Sequence, residues 1–400
     1  ARAFAEIVSA RVMLREGDAD LASLNDTTRF ARRLAQTNEA LVAIDPDREN
    51  QAAAGFVAAS AYQLLYQAQA LSEPERPAAF VTPEGISPEI SAMLLFLVAE
   101  ASADAAEVAA AMRIPSGDRL QSELILHLIM LANGQVGRIR RHKRPRQVDV
   151  VTGTGGERAN AALYYRILRG VRALAYVLQG KRIRGFVDPI AVFTEVKQLA
   201  TPGAEEFDEG SPDSAVAVFP GPFHLASLPI AAGSALIGGA VVSLPPPEGV
   251  DEDRWATAME TVAETRPYLW RNHRDAVEQG YLEIGTSSAI GFPTGAGKST
   301  TAQLKIHATL LSGRKAVFLA PTHALVDQTT RDLRVAFPRA TVRGERTDEF
   351  GFSSQGEDLP DLMVMTPEAC LLSSHMEPER FDDVGLLIFD ECHLMHDSSD

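Results

Sequence analysis

Cysteine is nearly missing: Cys370 and Cys392 are the only two in 400 residues. That excludes a disulfide framework or a zinc site built on cysteine, and it fits a reducing, cytoplasmic setting. Positive charge is also scarce. Lys and Arg total 38 against 53 Asp and Glu, a net charge of −15. Such a balance argues against a protein that coats nucleic acid non-specifically. A local basic groove stays open, because affinity follows the local potential. The amino terminus lacks a basic start followed by an apolar stretch, so no signal peptide is expected. Ala1, in place of an initiator methionine, reads as a trimmed or partial start. Formal charge vanishes from Ala215 to Pro247, a stretch long enough to cross a bilayer. Pro220, Pro222, Pro229, Gly233, Gly238 and Gly239 interrupt it, and its flanks are acidic where a span would carry positive residues. Buried core elements, with no membrane involved, are the expectation.

Strand signals are sparse through residue 200, and no fixed repeat period is present, so an irregular helical region is expected instead of a solenoid. Helices are predicted from Phe4 to Leu14, from an Asn25-Asp26 cap toward Ala43, and from Asp45-Pro46-Asp47 onward with Phe56, Val57, Tyr62, Leu65 and Tyr66 on one face. After a proline-bearing break from Ser72 to Gly85, Ser87-Pro88-Glu89 opens a helix through Met112, and Ser116-Gly117-Asp118 opens another through Leu131. A helical pair is predicted over Asn160 to Leu178. Gly203 to Asp213 reads as an acidic exposed loop, Pro245-Pro246-Pro247 as a stiff boundary, and Asp251 to Glu264 as a helix. The resulting division is a mainly helical accessory region over 1–250 and an α/β region over 251–400.

Arg138 to Arg146 is the densest basic run, with six Arg or Lys in nine positions. Two readings stand side by side. Arg140, Arg141 and Arg144 neutralise nucleic-acid phosphates, or the run is a solvated loop or an interface to an acidic neighbour. No aromatic residue is interleaved, so base stacking is not indicated.

From Ser287 the rhythm changes. Apolar runs Ala316–Leu319, Leu362–Met365 and Leu386–Phe389 alternate with helical segments over Ala324–Phe337 and Pro367–Ser374. This pattern predicts a parallel sheet with helices on both faces, with active residues at the carboxyl ends of strands. At its head, a short apolar run, Ser288-Ala289-Ile290, is predicted as a strand. It leads into Pro293-Thr294-Gly295-Ala296-Gly297-Lys298-Ser299-Thr300. Glycines free the backbone to turn its N–H groups toward one anion, and a helix N-terminus favours the same charge. Lys298 is placed to reach β- and γ-phosphates, and the Ser299 hydroxyl to ligate Mg²⁺. Phe292 stands where this phosphate-loop pattern asks for a small residue. Taken alone, the stretch also reads as a glycine-rich turn with an incidental lysine. Leu387-Ile388-Phe389 ends in Asp390-Glu391-Cys392-His393. A carboxylate at such a strand tip can hold Mg²⁺ and a second can polarise water, roles that suit Asp390 and Glu391 respectively.

The order of these elements is more specific than any one of them. Pro321 to Gln328 and Thr366-Pro367-Glu368 lie between the two, and 92 residues separate Lys298 from Asp390. The set resembles motifs I, Ia, Ib and II of the first RecA-like motor domain of superfamily 2 DExH-box (DECH) helicases, over residues 265–400. The resemblance implies ATP and Mg²⁺ as cofactors and nucleic acid as partner, with DNA expected and RNA left open. It also implies that Thr322 and Thr366 touch the phosphate backbone of the strand, with Gly344-Glu345 as a further contact. His393 would couple hydrolysis to that site. His273 stands near the place where many relatives carry an adenine-reading glutamine. An imidazole offers only one donor and one acceptor there. Trp270 reads as core packing or as a base platform. The second RecA-like domain of such motors, with its arginine fingers, is not within these 400 residues, so a longer chain is expected, the alternative being a second lobe supplied from elsewhere. A large helical region before a DECH motor is also similar in layout to bacterial anti-phage helicases of the Hachiman type, which would bring a partner effector such as a nuclease. The expected function is thus an ATP-dependent helicase or translocase. The rivals are a double-strand translocase that does not separate strands and an ATP-gated switch that regulates a nuclease without unwinding.

Overall fold

The computed structural model describes residues 2–16, 21–72, 78–143, 153–181, 187–201, 218–292, 297–345 and 358–390. The chain divides into two compact units. One comprises residues 1–243 with 263–270, and the other residues 244–262 with 271–400.

Among its described residues the first unit is all helical: α1 Arg2–Glu16, α2 Leu21–Ile44, α3 Arg48–Ser72, α4 Pro88–Val98, α5 Ser102–Ala111, α6 Arg119–Ala132, α7 Val136–Arg141, α8 Gly155–Val177, α9 Pro189–Leu199 and α10 Pro220–Gly238. Local chemistry sets several starts. Asp47 accepts from the Glu49 and Asn50 amides ahead of α3. Asp118 does the same for Leu120 and Gln121, and Thr154 with Glu157 forms a capping box on α8. Helix α4 is buried from Glu89 to Val98 and forms the centre of the core.

Three expectations are corrected here. Asn25-Asp26 lies inside α2 and caps nothing, because the helix begins upstream at Leu21. The single helix from Ser87 to Met112 is two, parted at Glu100, whose φ of +60° is incompatible with continuing a helix. The pair over Asn160 to Leu178 is one helix, α8. The charge-free stretch forms α10, which continues through Pro229. Among the described residues no helix is long and apolar enough to cross a membrane.

The second unit holds α11 Glu252–Val262, α12 Arg271–Glu278, α13 Lys298–Leu311, β1 Lys315–Leu319, α14 His323–Ala336, β2 Val342–Gly344, β3 Leu362–Met365, α15 Pro367–Met376 and β4 Val384–Phe389. The strands form one parallel sheet in the order β2-β3-β1-β4. Alternation along β1 serves two layers. Ala316 and Phe318 pack with Ile306, Val326 and Leu333 from α13 and α14. Val317 and Leu319 pack with Met363, Met365 and Ala369 on the α15 side. This is an α/β RecA-like arrangement with helices on both faces. The register shifts between Lys315 and Ala316 opposite β4, and Gly385 sits at that shift. A Cβ there would stand 2.7 Å from the Arg314 Cβ, so the close approach requires glycine.

The strand expected at Ser288-Ala289-Ile290 is absent, and the segment is irregular, with Ser288 and Ala289 exposed. Two serines precede only two apolar side chains there, too little to hold a strand in a core.

Candidate nucleotide-binding site

The sheet's carboxyl edge gathers the motif residues. Leu319, the last residue of β1, pairs in register with Met365 of β3 and Phe389 of β4. Beyond it, the Ala320 amide donates to the Met365 carbonyl at 3.0 Å, and the Asp390 amide donates to the Leu319 carbonyl at 3.1 Å. Thr322, Thr366 and Asp390 therefore follow three adjacent strands at one edge. Gly344 ends β2 at the same edge, and the Glu345 amide donates to the Val364 carbonyl at 2.8 Å.

Helix α13 brings Lys298 to this edge. It connects to β1 through a short turn at residues 312–314 and packs on β1 and β4, so it runs back against the strands and starts where they end. Its N-cap, Gly297, has φ +80° and ψ 28°, a left-handed conformation that favours glycine. Neighbouring helix starts differ. Thr322 Oγ1 accepts from the Leu325 amide at 3.3 Å, and Thr366 Oγ1 from the Ala369 amide at 3.2 Å. A glycine N-cap has no side chain to offer, and the N-terminal end of a helix such as α13 favours an anion. Ser299 is exposed on its first turn, while Lys298 and Thr300 are half-buried.

The two threonines differ in access. Thr322 is exposed, whereas Thr366 is buried with its hydroxyl engaged as a cap. His273 on α12 is buried, and its ring centroid lies 6.0 Å from that of Phe292. The histidine and the residue that departs from the phosphate-loop pattern are thus neighbours.

Lys305 is a residue that motif reading passed over. It lies two turns beyond Lys298 on α13 and is 4% exposed. Its ammonium donates to the Glu283 carbonyl and sits 5.6 Å from the Tyr281 ring centroid. Burial lowers its pKa, against the opposing pull of the Glu283 carboxylate. The sequence signal was a lone lysine on the apolar side of an amphipathic helix. Pro293, Thr294, Gly295, Ala296, Glu391 and His393 lie outside the described residues, as does Arg144. Arg140 and Arg141 are on α7 of the first unit.

Residues 270–400 match the family model described as DEAD/DEAH box helicase. The second unit is a RecA-like α/β domain similar to that of DEAD/DEAH box helicases. Similar proteins include the "ATP-dependent DNA helicase Hel308" of Thermoplasma acidophilum, 28% identical over 137 residues, which cover 33% of this chain and 19% of the relative. The "Probable helicase HelY" of Mycobacterium leprae is 29% identical over 116 residues, covering 29% of this chain and 12% of the relative. The chain thus spans less than one fifth of the length of the relatives it matches.

The donor set fits the cofactors that such a domain implies. Among the described residues no group of three or more His, Cys, Asp and Glu could hold a metal by itself. Magnesium in nucleotide sites is held by one or two protein oxygens together with phosphates and water, and Ser299 and Asp390 are oxygen donors of that kind.

Proposed function

We propose that the chain belongs to an ATP-dependent helicase or translocase of superfamily 2, DExH type, in which Mg²⁺-dependent ATP hydrolysis drives movement along nucleic acid. One observation carries this reading. Lys298, Thr322, Thr366 and Asp390, far apart in sequence, meet at one carboxyl edge of a parallel sheet, beside a helix start with a glycine N-cap.

In this reading the α13 terminus and Pro293 to Thr300 cradle phosphates, and the Lys298 ammonium neutralises their charge. Ser299 and Asp390 hold Mg²⁺. Glu391 orients the attacking water, and His393 couples it to the strand held near Thr322 and Thr366. Arg141 and Arg144 add phosphate contacts from the basic run, whereas Arg140 faces the Glu264 carboxylate. His273 faces the base side of the nucleotide, with less adenine selection than a glutamine would give. The names of the relatives favour DNA as the strand. The helical region ahead of the motor supports, by layout alone, an anti-phage role with a nuclease as effector, in the cytoplasm.

The test is turnover and strand displacement by the full-length protein. Lys298→Ala should abolish ATP hydrolysis while thermal unfolding stays within about 1 kcal/mol of wild type, as for a surface change away from the core. Glu391→Gln should keep ATP and lose hydrolysis. Wild-type turnover in Lys298→Ala would overturn the phosphate-loop assignment. Nucleotide-dependent binding without displacement or turnover would instead favour the ATP-gated switch.

A further inference from the structure

The basic run is not a uniform charged tail. Its first part is a short helix, α7, held by one half-buried guanidinium. Arg172 of α8 donates through Nη1 to the Ile139 carbonyl at 2.9 Å and the His142 carbonyl at 3.2 Å. Its Nη2 reaches the Arg140 carbonyl at 3.5 Å. These carbonyls close the C-terminal end of α7, where a cation is favoured and a free acceptor would be costly. A planar fork can span several acceptors in this way, and an ammonium cannot.

The clasp continues into α6. His127 is fully buried, and burial lowers its pKa to about 4, so it is neutral at pH 7. Its Nδ1–H donates to the Glu123 carbonyl at 2.7 Å, which leaves Nε2 to accept from Arg172 at 3.1 Å. His142, just past α7, stands with Nε2 2.9 Å from a Glu123 carboxylate oxygen. Every partner here fixes the pose of α7 instead of neutralising its outer face.

On that outer face the arginines divide. Arg140 is three-quarters buried and faces the Glu264 carboxylate at 3.9 Å. Arg138, Arg141 and Lys143 are exposed. Among the described residues none of the three has a carboxylate partner, and Arg138 binds only the neutral Gln135 amide. Beside Arg141 lies a second unfinished group. A Cβ on Gly137 would stand 3.4 Å from both Arg141 Nη atoms and 3.3 Å from Gln179 Nε2. Gln179 is 1% exposed, yet neither its amide oxygen nor its amide nitrogen has a partner. Uncancelled cations on a rigid platform, next to a buried amide without a partner, call for an anion with further polar atoms.

We propose that Arg138, Arg141 and Lys143 form a sequence-independent binding surface on the helical unit for the phosphate backbone of single-stranded DNA, and that Arg172 is the positioning residue that sets it. The choice of DNA rests on the reading of this chain as a nucleic-acid motor. The structure also alters the assignment of charges within the run: Arg140 is spent on Glu264 and is not part of the surface.

The experiment is fluorescence anisotropy of a labelled oligothymidylate with the full-length protein, titrated with salt. Arg141→Ala combined with Lys143→Ala changes only exposed side chains. It should reduce the slope of log affinity against log salt by about 1.4, from about 0.7 per contact on a single strand, and lower affinity about 25-fold at 0.1 M salt. Arg140→Ala should leave the slope at the wild-type value. Arg172→Lys keeps the charge but not the fork, and should reduce the slope while helix content is retained. Arg172→Lys with a wild-type slope would remove the positioning role. If wild type binds and the double variant keeps its slope, this inference falls while the motor reading stands. If wild type does not bind at all, the motor reading fails as well. Loss of binding to a polyglutamate peptide, with DNA binding intact, would make the surface a protein interface and overturn the proposal.

Discussion

The His273 imidazole and the Phe292 ring lie 6.0 Å apart, with planes tilted by 45°. Phe292 is the residue that breaks the small-residue rule of the phosphate loop, and His273 stands where a glutamine is expected. The two departures from the family pattern are in contact, so they act as a pair. An aromatic contact of this kind contributes about 0.5–1.5 kcal/mol beyond area burial. Phe292→Gly should therefore destabilise the second unit by about 1–3 kcal/mol, within the usual range for losing packing. It should also raise KM for ATP more than it lowers kcat. Denaturant unfolding and steady-state kinetics check both, and unchanged stability would mean that the rings touch without supporting one another.

Lys305 gives a second prediction. Its ammonium ties the turn at Glu283 to α13 beneath Lys298. Lys305→Met keeps the alkyl stem but leaves a carbonyl without its donor, a loss of about 1–3 kcal/mol. Amide hydrogen exchange of residues 281–284 should accelerate in this variant more than that of β1 or β3. Equal acceleration everywhere would show global loosening instead of a lost tether.

The contrast between these residues and the motif residues shows what a sequence can carry. The places of Thr322, Thr366 and Asp390 after strand ends, and of Lys298 at a helix start, were legible because β1, β3 and β4 announce their ends with unbroken apolar runs and a glycine-rich turn precedes the helix. β2 was not legible, since three residues with Arg343 exposed make no run. Neither was the break at Glu100, because glutamate is not a residue that signals positive φ. Lys305, Arg172 and His127 are legible only in three dimensions. Each acts through a carbonyl or an imidazole distant in sequence, and nothing local marks a lysine, arginine or histidine for burial. The strand expected at Ser288-Ala289-Ile290 failed for the opposite reason, a local apolar hint without the burial to support it.

A third prediction concerns acid. His307 on α13 packs 4.4 Å from the Phe337 ring centroid, and burial lowers its pKa to about 4 from an ordinary 6.5. Above pH 6.5 the folded and unfolded chains both carry a neutral imidazole, and stability does not change. Between pH 6.5 and 4 the unfolded chain takes up the proton alone, so stability falls as pH falls. By pH 4 the loss from this group approaches about 3 kcal/mol, from about 1.4 kcal/mol per pH unit. His307→Leu should flatten that part of the profile and leave stability near pH 7.5 within about 1.5 kcal/mol, as for an apolar replacement of similar volume. A profile as steep as wild type would assign the acid sensitivity to other groups.

Thr322 can separate capping from binding. Its hydroxyl caps α14 through the Leu325 amide, yet the residue is exposed beyond the carboxyl end of β1. Aspartate caps helices at least as well as threonine, and its charge suits a helix N-terminus. Thr322→Asp should thus hold or slightly raise stability. A phosphate backbone lying against the same spot would meet a new negative charge. The proposed contact therefore requires nucleic-acid affinity to fall in Thr322→Asp while the melting temperature holds, and Thr322→Ser to keep both. Thr366 cannot serve in this test, because it is 3% exposed, and an aspartate there would bury a charge and unfold the site for unrelated reasons. Unchanged affinity in Thr322→Asp would leave Thr322 with the cap as its whole role and move the strand away from this edge.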